Sequence, residues 1–120
     1  MNPENPRDLS QLREALRQFA AERDWDQFHS PKNLASALSV EASELLEIFQ
    51  WLTEEQSRNL PAEQLAHVRE EMADVLNYLV RLADKLDVDL LDAAREKIGK
   101  NAIKYPIEKA RGSMKKYTKL

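Results

Sequence analysis

Four acidic side chains stand out by type and spacing. Glu41 and Glu44 are three apart, and so are Glu71 and Asp74. Residues three apart share one face of a helix, so each pair can aim two carboxylates in one direction. Two such faces brought together would make a cluster of four oxygen ligands. Oxygen-only ligands suit hard cations, Mg²⁺ or alternatively Mn²⁺, which keep waters and share their coordination with substrate phosphates. An acidic pair at this spacing is common on solvated surfaces, and a structural salt bridge with Arg69 or Arg81 is the ordinary alternative. Position weighs for the cation. Glu41 interrupts an otherwise apolar seam, and Glu71 and Asp74 each precede a residue of another seam, Met72 and Val75. A buried carboxylate without a partner is costly, so such groups gain a cation or a proton.

A di-iron carboxylate bundle needs Glu-x-x-His on two helices. The residues three before His29 and His67 are Asp26 and Gln64, so that arrangement fails on its ligands. The chain has no cysteine, which removes disulfides and thiolate metal sites and fits a reducing cytoplasm.

Lys97, Asn101 and Lys104 recur at spacings of four and three, with Lys100 beside them. Lysines bind phosphate as point charges, and asparagine can reach sugar or phosphate oxygens. The plain alternative is a solvated face with cations near a helix C-terminus, where the dipole favours them. Joined to a carboxylate cluster, the set reads as a metal–polyphosphate site. Trp25, Phe28, Trp51 and Tyr78 could supply flat surfaces for a base, although core packing is the commoner fate of an aromatic. Tyr78 falls one turn after Asp74, and Trp51 ten residues after Glu41. His29 is either a hydrogen-bonding loop residue or a contact to base or phosphate.

The elements that must position these groups are helices throughout. Asp8 can cap a first helix that ends near Arg23, with Leu9, Leu12, Leu16, Phe19 and Ala20 on one stripe. Ser30-Pro31 starts a second, running to about residue 52 with the seam Leu34, Leu38, Glu41, Leu45, Ile48, Leu52. Residues 53–60 are expected to be a loop. Pro61 opens a long third helix with the seam Leu65, Val68, Met72, Val75, Leu79, Leu82, Leu86. Asp89 can cap a fourth, ending near Tyr105 because Pro106 disfavours helix before it. Residues 1–7 are expected to be loose and 106–120 a basic extended arm, within one domain spanning 1–120. The apolar surface of the second helix is wider than one packing partner requires, which points to another subunit or an aromatic-lined pocket.

Length and composition bound the rest. A chain of 120 residues suits one domain with its own core. No apolar run is long enough to span a membrane, and the N-terminus lacks a signal-peptide core. The two glycines, Gly99 and Gly112, build no phosphate-binding loop. The net charge of −3 conceals a polarity. Residues 1–96 carry 10 basic and 20 acidic side chains, and residues 97–120 carry 8 basic and 1 acidic. Stable nucleic-acid binding through the basic end is disfavoured by the acidic remainder.

Glu41-x-x-Glu44, twenty-six intervening residues and Glu71-x-x-Asp74 together resemble the metal motif of the MazG-like all-α nucleotide pyrophosphohydrolases. The likeness is to the dCTP pyrophosphatase branch. It is carried by AERDWDQFHSPKNL (21–34), EASELLEIFQW (41–51), EEMADVLNYLV (70–80), NAIKYP (101–106) and RGSMKKYTKL (111–120), and covers nearly the whole chain from about residue 9. The resemblance implies an all-α four-helix core that dimerises or forms a homotetramer, with sites at subunit interfaces. It implies Mg²⁺-dependent cleavage of a nucleoside triphosphate between the α and β phosphates, to the monophosphate and pyrophosphate. Glu41, Glu44, Glu71 and Asp74 would then be metal ligands, with Glu41 or Glu44 instead serving as the general base on water. Trp25, Trp51 and Tyr78 match the base and sugar pocket, and His29 and Asn33 match the same block. Lys97, Asn101, Lys104 and Tyr105 match the phosphate-side segment. Two departures bear on this: Leu16 stands where some dCTP-specific relatives carry histidine, and the 53–60 loop is shorter than in the animal relatives. A non-catalytic helical nucleotide-binding or regulatory module is the alternative class.

Overall fold

Capping chemistry sets where the helices begin. In the computed structural model, which describes residues 5–120, helix α1 spans Leu9–Glu22, α2 Pro31–Phe49, α3 Glu54–Arg58, α4 Ala62–Lys85, α5 Leu90–Lys104 and α6 Ile107–Ala110. Single 3₁₀ turns lie at Asp26–Phe28 and Tyr117–Lys119. Asp8, Ser30 and Asp89 each accept a backbone N–H at the start of α1, α2 and α5, as the sequence predicts. No strand occurs among the described residues, so the class is all-α. Of the expected loose N-terminus, residues 1–4 lie outside the described part.

Three boundaries differ from expectation. Helix α2 stops at Phe49, not near 52, and residues 53–60 hold the short helix α3. The cause is local. Thr53 and Gln56 form a reciprocal capping box, which requires extended backbone at Thr53 and so breaks the run of helix before it. The C-terminal segment is not an extended arm. Pro106, with φ −62°, starts α6, and Gly112 leaves it at φ +72°, the left-handed region that glycine enters without a Cβ penalty.

The chain divides into two compact units, one reaching to Asp87 and one from Val88 to Leu120. In the first, α2 packs chiefly on α4, and α1 also packs on α4. Ala20, Leu34, Val68, Val80 and Ala83 are the buried apolar residues between them.

Helix α4 carries two apolar stripes, and the seam expected from sequence mixes them. The inward stripe runs through Val68, Glu71, Val75, Tyr78 and Leu82. Leu65, Met72, Leu76 and Leu79 form a second, exposed face. Glu71 therefore lies in the packed seam itself, not at its edge. Both stripes repeat with helical period, so periodicity alone does not choose between them.

Candidate functional site

Glu41 and Glu44 on α2 meet Glu71 on α4. One carboxylate oxygen from each lies within 4.8 Å of the others. Glu41 Oε2 and Glu71 Oε2 are buried and have no hydrogen-bond partner. Burial pushes the Glu41 carboxyl up to about 7, and the neighbouring Glu44, Asp74 and Glu71 charges push the same way. Among the described residues no lysine or arginine pairs with these carboxylates. The one basic side chain at hand is His67, whose Nε2 is 3.3 Å from Glu71. A salt-bridge account of the cluster therefore has only the His67 imidazole, at one of the three carboxylates. Two orphaned acceptors, a purely oxygen donor set and mutual repulsion fit a divalent cation.

The geometric cluster holds three of the four expected carboxylates; the fourth, Asp74, one turn after Glu71, lines a cleft of about 310 Å³. Trp25 and His29 line it from the segment around the first 3₁₀ turn, and Asp74, Asn77, Tyr78 and Arg81 from α4. Leu16, Phe19 and Ala20 of α1 close it with apolar surface. The Trp25 and Phe19 rings meet edge to face at 5.8 Å, which fixes the tryptophan. Glu71, Asp74, Tyr78, Arg81 and Lys85 follow at spacings of three and four, so one face of α4 joins cluster to cleft. From Glu71 to Arg81 this is about 15 Å at the helical rise.

Arg81 is only 5% exposed. Its guanidinium donates to Asp26 at 2.9 Å, to Asp84 at 3.4 Å and to His29 Nδ1 at 3.1 and 3.3 Å. Lys85 also donates to Asp26, and Arg17 of α1 to Asp84. The Lys85 ammonium and then Arg81 hold the Asp26 carboxyl below its usual range, and Arg17 does the same for Asp84. Desolvation, reinforced by Arg81, lowers His29.

The structure thus gathers Glu41, Glu44 and Glu71, and sets Asp74 with Trp25, His29 and Tyr78. Trp51 lies beyond the end of α2, 86% exposed, and does not line the cleft. Asn33 is engaged locally, its amide donating to the Phe28 carbonyl. Lys97, Asn101 and Lys104 share an exposed face of α5 in the second unit. There Tyr105 packs edge to face on Tyr117, with the Lys104 ammonium 4.9 Å from the Tyr117 ring centre. Sequence reasoning missed Asn77 and the cleft role of Arg81. The signal was present in the α4 stripe that also carries Asp74 and Tyr78.

Known proteins resemble this chain over most of its length. The model of the MazG-like family matches residues 36–120. The chain is 46% identical to mouse dCTP pyrophosphatase 1 over 93% of its own length and 67% of that protein, and 45% identical to the human protein over the same shares. It is similar to a crystal structure of a pyrophosphatase from Archaeoglobus fulgidus, with a TM-score of 0.78 and 39% identity, covering 85% of this chain and 95% of that one.

Proposed function

This chain belongs to the MazG-like family, and on that premise we propose that it hydrolyses a pyrimidine deoxynucleoside triphosphate, dCTP or a base-modified relative. The products are the nucleoside monophosphate and pyrophosphate, and the role is cleansing of the nucleotide pool. Pyrophosphohydrolase activity toward nucleoside triphosphates follows from the family and from relatives named for it. The observation that carries the reading onto these residues is the cluster itself: three converging carboxylates, two of them with a buried, unpartnered oxygen and none paired to a lysine or arginine, with α4, the helix of Glu71, also walling an aromatic cleft.

Glu41, Glu44, Glu71 and Asp74 would hold Mg²⁺, with Mn²⁺ as substitute. When bound, such a cation neutralises phosphate oxygens and lowers the pKa of a coordinated water. One of the α2 glutamates, Glu41 or Glu44, accepts the proton of the attacking water. Trp25 and Tyr78 sandwich or flank the base, with His29 at its edge, and Trp51 adds to this pocket from a neighbouring subunit. Lys97, Asn101, Lys104 and Tyr105 hold the phosphate chain and stabilise charge on departing pyrophosphate. The two compact units act as one domain over 1–120, supported by a family match that runs through both. The assembly is a homodimer or homotetramer, which would cover the exposed apolar face of α4. Among the described residues no helix is long and apolar enough to cross a membrane, and we place the protein in the cytoplasm.

The test is pyrophosphate release from each deoxynucleoside and ribonucleoside triphosphate with Mg²⁺ or Mn²⁺. Release from dCTP is expected to lead. Glu71→Ala and Asp74→Gln should each abolish metal-dependent hydrolysis while the helical circular dichroism persists. Retained activity in a folded variant overturns the metal assignment, and nucleotide binding without turnover by the wild type supports a non-catalytic module instead.

A further inference from the structure

Arg81 is a charged residue buried in the cleft wall, and the metal-dependent chemistry above makes no use of it. Its contacts settle the state of a neighbour. Arginine carries N–H donors and no acceptor. Two of its nitrogens lie 3.1 and 3.3 Å from His29 Nδ1, so Nδ1 must be the acceptor. A histidine that accepts at Nδ1 carries its proton on Nε2 and is neutral. Among the described residues Nε2 has no partner of its own, and His29 lines the cleft. The arginine is itself held in place. Asp26 and Asp84 bind its fork from two elements, and each carboxylate has a second cation, Lys85 for Asp26 and Arg17 for Asp84.

We propose that Arg81 is a positioning residue for ligand recognition: it locks His29 as the neutral Nε2–H tautomer, so that the cleft offers one oriented donor to an acceptor atom on the base edge of the bound nucleotide. A cytosine ring presents such acceptors at O2 and N3. The proposal rests on the nucleotide reading given above. The groups facing the ring support the neutral form. Arg81 and Lys85 oppose a charged imidazole, against Asp26; Asp84, between them on α4, is already paired with Arg17 and Arg81, and Asp74 lines the same cleft. Because both carboxylates keep a cation when Arg81 is removed, Arg81→Met leaves no charge unpaired, and methionine is a good helix former.

The tautomer is read directly by long-range ¹H–¹⁵N correlation on the full chain at pH 7.5, the His29 ring being the one that vanishes in His29→Gln. Wild type is expected to show the Nε2–H form, and Arg81→Met a mixture. In kinetics with dCTP, Arg81→Met should raise KM about tenfold, the scale of one lost hydrogen bond, with the loss falling more on KM than on kcat. Arg81→Lys, which keeps a donor, should return to within about threefold of wild type. If Arg81→Met does not fold, His29→Gln and His29→Phe read the same donor. Glutamine places an amide N–H near the Nε2 position and should hold KM within about threefold, whereas phenylalanine should lose about tenfold. An Nδ1–H or charged ring in the wild type, unchanged KM in folded Arg81→Met, or equal losses in the two His29 variants overturns the proposal. If the wild type releases no pyrophosphate, the proposed function fails instead. The tautomer, together with dCMP affinity compared between wild type and Arg81→Met, then decides the role of Arg81.

Discussion

Glu41 is the residue at which structural and functional demands conflict most openly. Its position in the α2 seam calls for an aliphatic side chain, and its Oε2 is buried without a partner. In the metal-free protein the carboxyl resists ionisation up to about pH 7, because burial and three neighbouring carboxylates disfavour the charge. The sign follows from linkage. A carboxyl whose folded pKa is raised costs stability progressively as pH climbs from its ordinary value of 4.5 to about 7. Glu41→Gln keeps the shape and removes the charge. It should raise the melting temperature of the metal-free protein by a few degrees at pH 8 and leave it unchanged at pH 4. The same variant should weaken Mg²⁺ binding by at least about tenfold, the scale of losing even an outer-shell partner. Calorimetry on one sample reads both effects. A salt bridge would give the opposite sign for stability, since removing one partner of a pair destabilises.

At the scale of elements, α4 does most of the placing. Its inward face carries Glu71 to the cluster, Tyr78 to the cleft and Arg81 to the turn that holds His29. Helix α1 is fastened to it through Arg17 and Asp84, whose side chain is 8% exposed. Asp84 ionises more readily in the fold than in the open chain, chiefly through its hydrogen bond with Arg17. Its contribution is therefore complete above the ordinary carboxylate value and is lost as pH falls through the lower folded one. Asp84→Asn should cost about 1–2 kcal/mol at pH 7. Urea denaturation followed toward acid should show that deficit close. The caps of α1, α2 and α5 were legible because a cap needs only residues within three positions of it. The inward stripe of α4 was not legible, since Met72 and Leu79 are as apolar as Val75 and Leu82, and only the packing partner distinguishes them.

For the molecule as a whole, charge and apolar surface each have a pattern. The first compact unit carries a net −8 and the second +5, so the polarity of the sequence follows its division into units. Trp51, Leu46, Leu65, Met72 and Leu76 are exposed on the single chain. A surface this apolar is characteristic of an interface. On the proposed assembly, Met72→Lys should lower the mass seen by light scattering toward that of one chain, with the helical signal kept; a wild type that already has the mass of one chain overturns the assembly, and an unchanged oligomeric mass in the variant overturns this face as its interface. The sequence by itself determined the helical class, the starts of the four longer helices and the two acidic pairs, because these depend on residues within a turn of one another. Only the tertiary structure decided that Glu71 is packed inward and that Arg81 reaches His29 and Asp26, 52 and 55 positions away. Pairings at that separation leave no periodic trace, since they depend on how one helix rolls against another.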